Sequence, residues 1–425
     1  MKLSASTLTL ALLAALAAPA AHAEIAIDFI GGSELTFEGL VQVDGNWFNS
    51  DVANLNGDGY DGADSDNELR RAELILKGKG PGNFEWTLGY DAKADKYLDV
   101  NTKYKFGGNG NHYLQVGQFK QPNSMEELSS TRFNDFISKA TITNTYALAR
   151  RTGVAYRYGE NNWGVTGSWF GRTINRGAPI QAASGIIPES GSEGHGGGLG
   201  IRGNWAPINE TGNILHLGLS YMAFDTSGDT SRIRARPNGD LASVRLVDSG
   251  VMRNTSGQDT LGVEGMWVHG AFKVQGEYMR STISRYDTVP VGIQSGDDFR
   301  SDGWYVSGLW NVTGETWGYK EGVPTTPLPN EPVKGLWQIG LRYDKIDLND
   351  GYLSPGSTPG SAPKVNGVLG GEMNAVTFGV NWFWRSNFKF ALNYVDISSS
   401  RYNSSARAVV NDDPSIVEAR IQFYW

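Results

Sequence analysis

The sequence predicts an all-β protein: a sixteen-stranded antiparallel transmembrane β-barrel with an inward-folded constriction loop. Three observations predict the barrel. About sixteen stretches alternate apolar and polar residues with a period of two. Most of their apolar faces end in Trp or Tyr. The connections between them alternate between short and long. Side chains alternate faces along a strand, so each stretch has one apolar and one polar face. Strands of roughly 9 to 11 residues with an apolar outside fit a tilted crossing of a bilayer.

Residues 1–23 read as a secretory leader. Lys2 supplies a positive start, Leu8 to Leu16 is an apolar run too short to cross a bilayer as a helix, and Ala21-His22-Ala23 is a small-x-small cleavage site. Residues 24–425 form the barrel domain.

The first strand sets Leu35, Phe37, Gly39, Val41, Val43 and Trp47 against Glu34, Thr36, Glu38, Gln42 and Asp44. A later one sets Phe84, Trp86, Leu88 and Tyr90 against Glu85, Thr87, Gly89 and Asp91. Next come Leu98, Val100, Thr102, Tyr104 and Phe106 against Asp99, Asn101, Lys103 and Lys105. The pattern recurs through Leu215–Tyr221, Leu261–Trp267, Phe272–Tyr278, Trp337–Tyr343, Val376–Trp382 and Phe388–Tyr394. It ends in Val417, Ala419, Ile421, Phe423 and Trp425. Terminal aromatics such as Trp169, Trp205, Trp267, Trp310 and Trp382 suit the headgroup level, where the ring is buried and its polar atom stays wet.

Short turns are expected at Gly80–Asn83, Gly107–Asn111, Gly159–Asn161, His269–Gly270 and Arg385–Asn387. Long loops are expected at Asp51–Asn67, Gln121–Ala149, Arg172–Gly196, Phe224–Gln258, Ser281–Arg300, Asp347–Gly371 and Ser398–Pro414. Short turns on one side and long loops on the other describe an outer-membrane barrel with both ends periplasmic. Asn311–Lys334 breaks the rule: it falls where a short turn belongs, yet is long and carries Pro324, Pro327, Pro329 and Pro332.

The chain of 425 residues has no Cys, so disulfides do not staple it, and its formal charge is −8, or −9 without the leader and its Lys2. That balance argues against nucleic acid as a partner. Gly194-His195-Gly196-Gly197-Gly198 matches a nucleotide loop only superficially, because no helix pattern follows. The few histidines show no Ser and Asp partners for nucleophilic catalysis. No enzyme activity, metal or cofactor is expected.

Parity assigns a face to each charge. Arg71, Glu73 and Lys77 share the inward face of the second strand. Strict parity turns Arg70 outward, so its entry into the lumen requires a bulge or a strand that starts at Arg71. Lys103, Lys105, Lys273 and Lys389 face inward near the periplasmic ends of their strands and, with Lys77, form a ring of lysines at the inner mouth. Arg232, Arg234 and Arg236 stand at every second position of a long loop, which puts three guanidinium groups on one side of an extended chain. Arginine binds phosphate oxygens through a planar, permanently charged fork. The loop Gln121–Ala149 carries Glu126, Glu127, Arg132, Asp135 and Lys139, with Ser129, Ser130 and Thr131 as neutral donors.

Leu69-Arg70-Arg71-Ala72, Gly117-Gln118-Phe119-Lys120-Gln121-Pro122, Glu126-Glu127-Leu128-Ser129-Ser130, Gly203-Asn204-Trp205-Ala206-Pro207 and Gly379-Val380-Asn381-Trp382 stand in an order that resembles the phosphate-selective porins O and P. The resemblance covers most of the chain after the leader. It implies a homotrimer in the outer membrane of a Gram-negative bacterium, surrounded by outer-membrane lipid. It implies that Arg70 and Arg71 match paired constriction arginines, Asp99 a constriction aspartate, Ser130 and Thr131 loop hydroxyl donors, and Arg232, Arg234 and Arg236 a ladder that draws anions in. Arg132 and Lys139 join them as expected pore residues. Two positions depart from the family: Glu127 replaces a loop lysine and Leu40 a pore arginine. The expected function is therefore a diffusion channel with anion preference for inorganic phosphate, polyphosphate or other small anions. The alternative is a general, weakly cation-preferring porin of the same fold, with Glu126, Glu127 and Asp135 setting the preference.

Overall fold

The computed structural model describes residues 25–29, 33–57, 64–80, 82–107, 111–175, 197–226, 230–286, 297–356 and 361–425. Residues 1–23, expected to be a leader, and most of Arg172–Gly196 lie outside the described residues. Sixteen strands run antiparallel in chain order. The first five are β1 (Ser33–Asn49), β2 (Ser65–Lys79), β3 (Phe84–Asp91), β4 (Lys96–Lys105) and β5 (Tyr113–Lys120). After a loop holding α1 (Met125–Leu128) and α2 (Thr141–Tyr146) come β6 (Arg150–Gly159), β7 (Trp163–Phe170), β8 (Gly198–Glu210) and β9 (Asn213–Asp225). Then follow β10 (Thr255–His269), β11 (Phe272–Arg285), β12 (Phe299–Asn311), β13 (Leu336–Ser354), β14 (Lys364–Trp384), β15 (Phe388–Asn403) and β16 (Ser415–Tyr424). The sheet closes where β1 pairs with β16, from Leu40↔Tyr424 to Asn49↔Ser415. Closure leaves no unpaired edge, the condition for a sheet to cross a bilayer.

Burial is inverted relative to a water-soluble domain. Gln42, Asp44, Glu264, Gln338, Arg342, Glu418 and Arg420 are buried, while Leu74, Val116, Leu219, Val263, Leu341, Phe378 and Leu392 are exposed. The exposed apolar face is rimmed by Trp47, Trp169, Trp205, Trp267 and Trp310. A contiguous apolar exterior around a polar interior is what lipid requires and water penalises.

Strand lengths run from 8 residues in β3, β5 and β7 to 21 in β14, outside the expected 9 to 11. The extra length lies at the long-loop rim. β13 and β14 stay paired to Ser354↔Lys364, so much of Asp347–Gly371 is hairpin rather than loop, bent by a bulge between Asp347 and Asn349. Ser399–Asn403 likewise pairs with Ala408–Asp412. Backbone pairing continues wherever two neighbouring chains leave the barrel side by side, and hydropathy does not record where the bilayer ends.

Three segments fill the lumen. Residues 121–149 fold inward, as expected, and 230–254 fold in beside them. Ile142 and Tyr146 of the first and Ile233, Ala235 and Val247 of the second share a core with wall residues Ile346, Met373, Val395 and Ile416. The third segment is the long connection Asn311–Lys334. It enters from the short-turn rim as a small hairpin, Gly318–Lys320 paired with Val323–Thr325. Trp317 is 1% exposed and packs with Met125 of α1, Ile214, Met266, Val268 and Leu309. The Tyr319 hydroxyl meets His216 Nδ1 at 2.7 Å, and Arg202 donates to the Gly322 carbonyl at 2.6 Å. The length of this connection thus has a physical account: it reaches the inner loop and braces α1 from below. Replacing residues 314–331 by a short turn is expected to raise single-channel conductance; an unchanged conductance would mean that the hairpin does not obstruct the pore.

Candidate functional site

The loops divide the lumen unequally. Inward charges on β13 and β16 are covered: Arg342 and Arg420 are 1% and 4% exposed. Several charges on β2 to β6 remain open: the side chains of Arg71, Asp99 and Arg150 keep 23 to 29% exposure and Lys96 is exposed, although Glu73 and Arg157 are buried. This second wall is the one left open to the lumen.

A bulge brings Arg70 to that wall. β1 pairs Gln42 with Arg71 and then Val43 with Leu69, so Arg70 is the extra residue and turns inward beside Arg71. Arg70 bonds Asp240 at 3.2 Å and Arg71 bonds Glu73 at 3.0 Å. A second bulge, opposite Gly89, sets Asp99 toward β6, where Arg150 holds it through two bonds of 3.0 and 2.7 Å. It also buries Leu98, which simple alternation had put on the lipid face. Lys96 lies within electrostatic reach of Arg70, Arg71 and Arg150, with Asp91 as its acidic neighbour. Four cations therefore cluster on this wall.

Across from them lies the inner loop. Glu127 sits in α1, its amide bound by the Ser124 side chain. Its carboxylate pairs with Lys139 and is near Lys120, whose ammonium donates to the Glu127 and Ser129 carbonyls. Burial raises the Glu127 pKa, but Lys139 and Lys120 outweigh burial and hold it at about 2. The departure from the family is thus neutralised locally rather than left as a bare negative charge. Because the folded pKa is depressed, the pair's stabilisation is complete above the ordinary carboxylate value and is lost as pH falls from about 4.5 toward about 2. A conductance step is expected in that window and is expected to vanish in Glu127→Gln; a step that persists in the variant would assign it to another group. Leu40, the second departure, is fully buried and lines no open surface.

Above the constriction is a cavity of about 540 Å³ lined by Arg70, Arg151, Arg232, Arg234, Arg236 and Arg245, with Asp240 the carboxylate among its lining residues. Alternation along 232–236 points arginines to the cavity and buries Ile233 and Ala235 in the core. Arg232 binds Asp248, and Arg236 donates to the Asp240 carbonyl at 2.8 Å. Burial raises the Asp240 pKa, but Arg70, Arg420 and Arg71 together pull it below its ordinary value.

Toward the short-turn rim the lysines diverge from a simple ring. Lys77 bonds Glu38 at 2.5 Å, and Arg132 approaches the same carboxylate at 2.8 Å. Lys105 bonds Glu85 at 2.7 Å, and Lys103 lies 4.4 Å from the centre of the Tyr113 ring. Lys273 and Lys389 do face inward, but they are 2% exposed. Lys273 binds the Asp135 carboxylate at 2.7 Å, and Lys389 donates to the Asn134 carbonyl at 2.5 Å. These two anchor the inner loop to the wall and are not free charges at the mouth, which corrects the expected ring. Ser130 caps a short 3-10 turn opened by Thr131, without a side-chain capping bond.

Lys96, Lys120, Arg150 and Arg151 were not among the expected site residues. The adjacent pair Arg150-Arg151 at the start of β6 mirrors Arg70-Arg71 and was the available signal. Among the described residues no group of three or more His, Asp and Glu could hold a metal ion.

The sequence model of the family "Phosphate-selective porin O and P" matches residues 41–425. An uncharacterized protein of Caulobacter vibrioides is 28% identical over 77% of this chain and 62% of its own length. Porin O of Pseudomonas aeruginosa is 26% identical over 52% of this chain and 52% of its own length, so the chain spans little more than half of these relatives. Among solved structures, an anion-selective porin from Comamonas acidovorans superposes with a TM-score of 0.53 at 12% identity, covering 92% of this chain and 100% of that one.

Proposed function

Because this chain belongs to the phosphate-selective porin O and P family, and so lies in the outer membrane of a Gram-negative bacterium, we propose that it is a diffusion channel with anion preference. Its solutes are inorganic phosphate, polyphosphate or other small anions. One observation carries the proposal: the open wall of the lumen presents Arg70, Arg71, Lys96 and Arg150 at the level of the constriction, below a cavity lined by six arginines and a single carboxylate. Rings of arginine and lysine favour anions in a pore. The forks of Arg70, Arg71, Arg150, Arg151, Arg232 and Arg236 are already oriented by a carboxylate or a carbonyl, so they offer their remaining donors to a passing anion without closing on it. Weak, serial sites of this kind let an ion enter and leave.

The inner-loop carboxylates that would favour cations are occupied. Glu127 is paired with Lys139, Asp135 with Lys273, and Glu126 accepts from the Ala140 amide and the Thr143 hydroxyl. In this reading Ser130, Thr131 and Arg132 line the lower passage and Lys77, Lys103 and Lys105 its exit. The chain assembles as a homotrimer in outer-membrane lipid.

The test is the reversal potential of the purified protein in planar bilayers under a KCl gradient, repeated with phosphate added. Anion selectivity with current reduced by phosphate is expected. Cation selectivity, or current indifferent to phosphate, would overturn the reading.

A further inference from the structure

Resting on the anion-channel reading, we infer that the cavity above the constriction is a binding site for organic phosphates that carry hydroxyl groups, a sugar phosphate being the simplest such solute. Size is the first reason. At about 540 Å³ the cavity falls within the roughly 300 to 1,000 Å³ of pockets that hold organic ligands, well beyond the needs of one phosphate ion.

The lining is the second reason. One side is cationic. Arg151 donates to the Arg150 carbonyl at 2.8 Å and, among the described residues, takes part in no ion pair. Its remaining donors suit a phosphoryl group. The other side is neutral and hydrogen-bonding, with Asn144 exposed and Thr145 half-buried on α2.

Gln258 is the third reason, because it discriminates between ligand groups. It is 5% exposed on the cavity wall, and its Nε2 is committed to Ser281 Oγ at 3.0 Å, but its Oε1 has no partner. A buried acceptor without a donor is costly, and an ionised phosphoryl oxygen, itself an acceptor, cannot satisfy it. A ligand hydroxyl can. The cavity thus pairs fixed positive charge with an acceptor that wants O–H, the two features of a phosphorylated polyol.

The experiment compares current block by glucose 6-phosphate, methyl phosphate and orthophosphate, each added on the long-loop side of the full-length protein in planar bilayers. Glucose 6-phosphate is expected to half-block at a concentration roughly 3- to 10-fold below that of methyl phosphate, the value of one or two net hydrogen bonds. Gln258→Met is expected to remove most of that difference while leaving block by methyl phosphate unchanged. Arg151→Gln is expected to weaken block by all three phosphates alike. Should Gln258→Met fail to fold, Asn144→Ala, on the loop surface, is expected to reduce the preference for glucose 6-phosphate in part. Equal block by glucose 6-phosphate and methyl phosphate in an anion-selective channel would overturn this inference alone. Cation selectivity with no block by any phosphate would overturn the channel reading with it.

Discussion

Replacing Arg70 and Arg71 together by glutamine is expected to reverse the ion selectivity of the channel. The bulge in β2 is what makes the effect large, since it brings two adjacent guanidinium groups into one lumen instead of one. Their loss leaves Lys96 and Arg150 facing Glu73, Asp91 and Asp99 at the constriction. It also strips Glu73 and Asp240 of the partners that now hold them at 3.0 and 3.2 Å. A unit charge roughly 7 Å from a permeating ion, at an effective dielectric near 20, is worth about 2 kcal/mol, which exceeds a tenfold change in permeability ratio per charge. The reversal potential under a KCl gradient should change sign, and block by phosphate should weaken at least tenfold. The measurement belongs at about 0.1 M salt, because screening shortens the reach of each charge to about 3 Å at 1 M. A double variant that stays anion-selective would place the selectivity elsewhere in the lumen.

Arg420→Met is expected to loosen the inner loop and widen the pore. Arg420 grips both Asp44 oxygens, at 2.7 and 2.6 Å, and donates to the Ile137 carbonyl at 3.0 Å. Arg342 does the same one strand group away, binding Asp344 at 2.6 Å and the Ser138 carbonyl at 2.9 Å, with its guanidinium 4.7 Å from the centre of the Phe136 ring. The two arginines pin consecutive loop carbonyls to opposite parts of one wall. Removing Arg420 leaves Asp44 buried without its counter-charge, a cost of about 3 to 5 kcal/mol, whereas removing both partners of a buried pair costs much less. Three readouts follow. The temperature at which the barrel loses its compact form on a gel should fall, and single-channel conductance should rise and become noisier. The double variant Asp44→Asn with Arg420→Met should recover much of the heat stability but not the original conductance. A single variant as heat-stable as the parent would show that the loop is held by its apolar core alone.

The residues differ in how far sequence reveals them. Alternation in β1, β3, β10, β14 and β16 is a local property, read residue by residue, and it carries the barrel, its even strand number and its apolar exterior. Parity also exposed the conflict at Arg70, whose resolution needed a bulge. Other consequences were out of reach. Lys273 and Lys389 read correctly as inward, yet their partners Asp135 and Asn134 lie 138 and 255 residues away, and no local pattern announces such pairs. The strand extensions of β13 and β14 above the apolar band follow from pairing between neighbours, which hydropathy does not report. Arg150 and Arg151 could have been read from their doublet at a strand start, but not which of them would meet Asp99.

The sequence by itself determined the closed barrel, its wet and apolar faces and the alternation of arginines along 232–236, because in a sheet the face of a side chain depends only on its position along the strand. The tertiary structure decided which charges stay open to a solute. Three segments from distant parts of the chain enter the lumen and cover one wall, so that Arg342, Arg420, Lys273 and Lys389 become anchors while Arg70, Arg71, Lys96 and Arg150 remain accessible. Facing inward is a matter of parity; being uncovered depends on where loops from separate parts of the chain come to rest.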